Sequence, residues 1–194
     1  ILLSYLTVMA QVEPLLLYKA RHDKQCSRWV EATMNSLSLR EKVGQLFIYT
    51  LAPEDSRPNM KLLQKLVKTY RIGGILFSGG NIISQAKVTN AAQRMTQIPI
   101  MMMCDGEWGL AMRLRNTPAF PKNMTLGCIQ DDRLIYEYGR EVARECKLMG
   151  IQVNFAPVAD VNINPKNPVI NTRSFGEMPI HVADKVIAYA SGLE

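Results

Sequence analysis

Apolar positions along the chain follow two alternating rhythms. Short unbroken runs, Gly73-Gly74-Ile75-Leu76-Phe77, Ile98-Pro99-Ile100-Met101-Met102-Met103-Cys104 and Ile151-Gln152-Val153-Asn154-Phe155-Ala156-Pro157-Val158, predict strands buried on both faces. Gln45 to Leu51 predicts an earlier one. Between these runs, apolar residues recur at helical spacing. Residues 27–35 and 38–43 predict helices, with Ser36 or Ser38 as cap and Ser38-Leu39-Arg40-Glu41 as a capping box. Asn59 to Tyr70 places Met60, Leu63, Leu66, Val67 and Tyr70 on one face. Ser84 to Thr96 offers Ala86, Val88, Ala91, Ala92 and Met95. The clearest helix runs from Asp131 to Met149, capped by Asp131 or Asp132 and stopped at Gly150. Its stripe is Leu134, Ile135, Tyr138, Val142, Cys146 and Met149. Residues 180–193 begin one more helix.

Strands and helices that alternate with short connections imply an α/β fold. Its parallel sheet is covered by helices, as a doubly wound sheet or a (β/α)₈ TIM-type barrel. Polar and glycine-rich clusters follow the strands at Ser78 to Asn81, Asp105 to Trp108 and Asp160 to Asn164. Both architectures place their sites there, at the C-terminal ends of strands.

Composition narrows the classes. In 194 residues, 47% are apolar and 21% charged, which excludes a disordered tail, a collagen-like repeat and a disulfide mini-scaffold. The net charge of +6 is spread thinly, without a run of five basic residues. It reads as a solvated basic surface, and no nucleic-acid partner is expected. Two histidines, His22 and His181, support neither a His-based metal site nor a Ser-His-Asp triad within the chain. Cys26, Cys104, Cys128 and Cys146 lack zinc-ligand spacing; Cys104 and Cys146 read as buried free thiols, and disulfide pairing is left open. Met101, Met102 and Met103 would point to opposite faces of a strand in turn, so they read as core rather than as a soft-metal site. No metal or cofactor is expected.

Ile1 to Ala10 is apolar, ends in a small residue and precedes Gln11-Val12-Glu13-Pro14. It reads as the remnant of a signal peptide, too short to span a bilayer, which implies a periplasmic or extracellular protein. Residues 11–35 then form a leader and helix.

Three acids lie just past strand ends: Asp105, Glu107 and Asp160. Paired carboxylates serve glycoside hydrolysis, and acids in such places also bind magnesium or cap turns. In Asp105-Gly106-Glu107-Trp108-Gly109, glycines let backbone approach a ligand, and Trp108 suits stacking on a sugar or simple core filling. Arg113, eight residues beyond Asp105, can turn its fork of donors back towards the site. Asn162 to Pro179, rich in Pro and Asn, predicts a long loop at the site face with Arg173 in its middle. Neither GxGxxG nor a Walker A sequence occurs, so nucleotide binding is weakly signalled.

Five segments together resemble the N-terminal barrel domain of family 3 glycoside hydrolases. They are Glu41-Lys42-Val43-Gly44-Gln45-Leu46, Gly73 to Phe77, Asp105 to Gly109 with Arg113, Asn154-Phe155-Ala156-Pro157-Val158-Ala159-Asp160, and Asn171-Thr172-Arg173-Ser174-Phe175-Gly176. The branch of β-N-acetylglucosaminidases (β-hexosaminidases) is the most similar. The resemblance implies a partial barrel domain over residues 36–194, with about the first four of eight strand–helix units. It implies retaining hydrolysis of terminal β-linked N-acetylglucosamine from glycans or cell-wall fragments. Asp105, Arg113 and Arg173 match the family's sugar-binding positions, with Glu107, Trp108 and Asp160 in support. The family's acid/base His and nucleophilic Asp fall beyond Glu194, so no catalytic residue is expected here and this chain alone should lack the covalent step. Further C-terminal domains are implied by the same likeness. A β-glucosidase of the same family and a non-catalytic sugar-binding homologue are the alternatives.

Overall fold

The computed structural model describes residues 23–194. Residues 1–10, with the signal-peptide reading, most of the leader and His22 lie outside the described residues. Two compact units are present, one holding α1 (Lys24–Ser36) and the other spanning residues 37–193. Asp23 caps α1 by accepting the Gln25 and Cys26 N–H groups, and none of the helix's residues is buried.

The larger unit runs α2 (Leu39–Gln45), β1 (Ile48–Leu51), α3 (Arg57–Lys68), β2 (Gly74–Phe77), β3 (Gly80–Asn81), α4 (Ile82–Met95), β4 (Met101–Cys104), β5 (Leu114–Arg115), α5 (Asn123–Leu126), α6 (Asp132–Leu148), β6 (Val153–Asn154) and α7 (Pro179–Leu193). The expected capping box forms at Ser38 and Glu41. Four strands pair in parallel in the order β1-β2-β4-β6. This order never reverses, which is the pattern of a barrel and not of a doubly wound sheet. The sheet is open between β1 and β6 among the described residues, as four units of a larger barrel would be.

Two apolar clusters hold the unit together. Leu63, Leu66 and Val67 of α3 and Val88 and Ala92 of α4 pack with Ile75, Phe77 and Met102. Ile135, Tyr138, Val142 and Cys146 of α6 pack with Val182 and Tyr189 of α7, and with Cys104 and Phe175. Each such side chain contributes about 1.5–3 kcal/mol of burial. The free thiols of Cys104 and Cys146 are both buried, as expected.

Several expectations need correction. The first strand begins at Ile48, because α2 continues to Gln45, whose amide donates to the Arg71 carbonyl at 2.6 Å. Tyr70 lies beyond the end of α3 and is exposed, with the Lys65 ammonium over its ring. Leu134, in the first turn of α6, is likewise exposed. The fourth strand is short: its last ladder bond is Phe155 N–H to Cys104 O, and Pro157 has no N–H to continue it. Met102 and Met103 are buried, whereas Met101 is exposed. Positive charge is less evenly spread than the sequence suggests. α3 and α4 carry Arg57, Lys61, Lys65, Lys68, Lys87 and Arg94 and no acidic residue.

Candidate functional site

The site is built on the segment immediately after β4. Asp105 comes directly after Cys104, and the chain turns through Gly106 to Gly109 into a 3₁₀ turn at Leu110–Met112. That turn brings Arg113 back so that its Nη2 donates to Asp105 Oδ2 at 2.7 Å. Both side chains are about one-third exposed. Asp105 Oδ1 accepts nothing from the described residues, and Arg113 Nε is buried without a partner among them.

A second ion pair reaches across the chain. Arg173 closes a short 3₁₀ turn, Asn171–Arg173, in the loop after β6. Its Nε donates to both oxygens of Glu107 at 3.1 and 3.0 Å, and Nη2 donates to Oε1 at 2.7 Å. Nη1 donates to the Val169 carbonyl at 3.3 Å. A guanidinium has five N–H groups, so one on each terminal nitrogen is left for a ligand. Glu107 is 3% exposed, and its partnership with Arg173 raises the arginine's pKa through the hydrogen bond and the charge.

Between the pairs lies an open hollow of about 510 Å³, lined by Asp105, Glu107, Met112, Arg113, Phe155, Val158 and Arg173. Two carboxylates and two guanidiniums face it, so its charge balances. It offers paired donors and acceptors beside an apolar surface, with Phe155 49% exposed. A neutral polyol suits that lining, since each hydroxyl both donates and accepts. The hollow lies at the C-terminal ends of β4 and β6, the edge where barrel enzymes bind substrates.

The loop under the hollow is held from several directions. Asn154 Oδ1 accepts Gly106 N–H at 2.8 Å, and its Nδ2 donates to Gly106 O at 3.2 Å. The Tyr189 hydroxyl donates to the carbonyls of Gly106 and Glu107 at 3.3 and 3.2 Å, and the Tyr138 hydroxyl to Glu107 O at 3.2 Å. Burial raises the pKa of both phenols, which keeps them as donors. Glu145 Oε2 accepts Leu110 N–H at 3.3 Å.

Of the residues singled out in the sequence, Asp105, Glu107, Arg113 and Arg173 meet at the hollow. Trp108 and Asp160 do not line it. The half-buried Trp108 ring has the Lys122 ammonium 5.4 Å from its centroid. Asp160 is exposed, and its carbonyl accepts Ser174 Oγ at 2.6 Å. Among the described residues, no group of three or more His, Cys, Asp or Glu side chains is placed to hold a metal ion. No helix among them is long and apolar enough to cross a membrane.

Residues 38–194 match the family model described as glycosyl hydrolase family 3 N terminal domain. The chain belongs to glycosyl hydrolase family 3. Among family 3 relatives, the beta-hexosaminidase A of Pseudoalteromonas piscicida is 35% identical over 158 residues, covering 75% of this chain and 25% of its own length. A solved family 3 beta-N-acetylglucosaminidase from a Paenibacillus species superposes with a TM-score of 0.72 at 32% identity, over 81% of this chain and 31% of that one. A beta-glucoside phosphorylase reaches a TM-score of 0.81 over 90% of this chain and 31% of its own, at 23% identity, and so shares the fold. The chain thus spans about a quarter to a third of these proteins. The superposition also accounts for the open sheet, which corresponds to part of a TIM-type barrel.

The sequence pattern assigns no role to Asn154, Tyr138, Tyr189 or Glu145. It does carry one signal for Glu145, which falls three residues after Val142, within the apolar stripe of α6, where an acid is out of place.

Proposed function

We propose that the full protein is a retaining β-N-acetylglucosaminidase, and that this chain supplies the sugar-binding part of its barrel. Asp105 and Arg113 form one wall of the sugar site and Arg173, braced by Glu107, the other. The charge-balanced hollow between these pairs carries the reading, because its two carboxylates are matched by two guanidiniums and it favours no ionised ligand. The beta-hexosaminidase and beta-N-acetylglucosaminidase names of the family 3 relatives support the choice of sugar. Acid/base and nucleophilic groups come from chain beyond Glu194, in a barrel half and further domains that complete the enzyme. Trp108 and Asp160 are supporting residues outside the lining, Asp160 through its carbonyl on Ser174 and its charge near Arg173. The reaction needs no metal or organic cofactor. Terminal aminosugars of glycans or cell-wall fragments are the substrates, met outside the cytoplasm after export directed by the N-terminal apolar segment.

Release of p-nitrophenol by the full-length protein from matched N-acetylglucosaminide and glucoside substrates tests this reading. Faster release from the N-acetylglucosaminide is expected. Faster release from the glucoside would make the protein a β-glucosidase, and release from neither would overturn hydrolysis.

A further inference from the structure

Helix α6 carries an acid inside its apolar stripe. Glu145 is 6% exposed, with Tyr138, Val142 and Cys146 as buried neighbours on the same helix. One oxygen, Oε2, accepts Leu110 N–H, and the other, Oε1, is buried without a partner among the described residues. Leaving a buried carboxyl oxygen unpaired costs stability, so packing alone is a poor reason for an acid here.

The contacts of Glu145 give a better one. Leu110 opens the 3₁₀ turn, and Arg113 N–H closes it on Leu110 O at 2.9 Å. Arg113 then reaches Asp105. Gly109, at φ +85°, passes beside the carboxyl: a Cβ there would lie in ordinary contact with Glu145 Oε2 at 3.5 Å, and would press on the Phe120 ring at 2.6 Å. The chain of contact is therefore short, from Glu145 to the Leu110 amide, through one turn, to the guanidinium at the hollow.

We propose that Glu145 is a positioning residue that holds the Arg113 wall of the sugar site, an inference that rests on the sugar-binding reading of that hollow. Its ionisation sets how tightly. Burial raises the Glu145 pKa above its ordinary 4.5; the Leu110 N–H bond lowers it, Glu141 raises it and Arg144 lowers it. Tyr138 and Cys146 flank it on α6, and Gly109 and Leu110 of the site loop adjoin it. Between 4.5 and the raised value, the folded protein keeps a proton that the unfolded chain has lost. Stability therefore falls as pH rises through that window. The ionised carboxylate is also the stronger acceptor for the Leu110 amide. Ionisation thus loosens the fold slightly and tightens the turn.

Glu145→Gln in the full-length protein separates these effects, because it keeps the shape and one acceptor oxygen. Three results are expected at about pH 7. The variant's Tm exceeds the wild type's, and that gap closes as the pH falls to about 4.5. KM for p-nitrophenyl N-acetylglucosaminide rises on the order of threefold while kcat stays within about twofold, the scale of one weakened hydrogen bond. Amide exchange at Leu110, read without substrate, becomes faster. Unchanged KM with unchanged Leu110 exchange overturns the proposal, as does a lower Tm accompanied by falling kcat. Should the wild type hydrolyse neither sugar, the sugar reading fails, while Leu110 exchange still decides whether Glu145 orders the turn.

Discussion

Arg173 grips both oxygens of Glu107 across 66 positions of sequence. The glutamate comes from the loop after β4 and the arginine from the loop after β6, so the pair ties neighbouring strand ends together. Glu107 is nearly inaccessible, whereas the Arg173 side chain is one-third exposed. Removing the arginine therefore strands a buried carboxylate. Arg173→Met is expected to cost about 3 kcal/mol, the lower end for breaking a buried pair, given the arginine's partial exposure. Adding Glu107→Gln to it should recover part of that loss. Urea unfolding of the two single variants and the double variant measures the coupling, and strictly additive losses would show that the pair is not coupled.

Asp105 and Arg173 make a second prediction, because both side chains are about one-third exposed and line the hollow. Asp105→Ala or Arg173→Ala in the full-length enzyme should lower kcat/KM by about 10- to 100-fold, the value of one or two charged hydrogen bonds. Steady-state kinetics on the N-acetylglucosaminide check it. Unchanged kinetics in both variants would remove these residues from the sugar site.

Helices α6 and α7 approach through glycine. A Cβ at Gly139 would lie 2.4 Å from Tyr189 O, and one at Gly192 2.2 Å from Tyr136 O. Gly139→Ala must therefore push the helices apart, at a cost of about 1–3 kcal/mol. Thermal unfolding reads the loss. An unchanged Tm would mean that the two backbones are not in contact in solution.

Asp131 caps α6 and pairs with Arg133, whose side-chain and backbone hydrogen bonds hold the Asp131 pKa down to about 2, from 3.8. A lowered folded value means that this contribution to stability is present above 3.8 and is lost as the pH falls through about 2. The carboxyl carbon shift of Asp131, followed by NMR across that range, should have its midpoint near the lower figure. A midpoint at the ordinary value would show that the cap is not formed.

How much of this was visible in the sequence depended on the physics involved. Periodicity located α3, α4, α6 and α7, because an apolar stripe is a direct consequence of burying one helical face. The apolar pattern begins α4 at Ser84, whereas the helix starts at Ile82 behind an Asn81 cap, because a cap is polar and leaves no mark on the stripe. The turn that aims Arg113 at Asp105 was legible in outline from their spacing. Polar residues in the interior were not legible. Gln85 is fully buried on α4 and donates to Met149 O and Thr89 Oγ1, a role that no apolar pattern encodes. Tyr138 belongs to the apolar stripe of α6 and Tyr189 stands out in no pattern, yet both hydroxyls reach the loop because distant segments meet in three dimensions.

Those two hydroxyls have a further consequence. The carbonyls of Gly106 and Glu107 hang from the outer helices as well as from the sheet, and the helices' separation is fixed where Gly139 meets Tyr189 and Gly192 meets Tyr136. On the sugar-binding reading proposed above, ligand preference becomes adjustable from the rear of the molecule. A library confined to residues facing the ligand would miss these levers, whereas one that varies the glycines and tyrosines of the two helices would shift the floor of the site while leaving every ligand-facing residue in place.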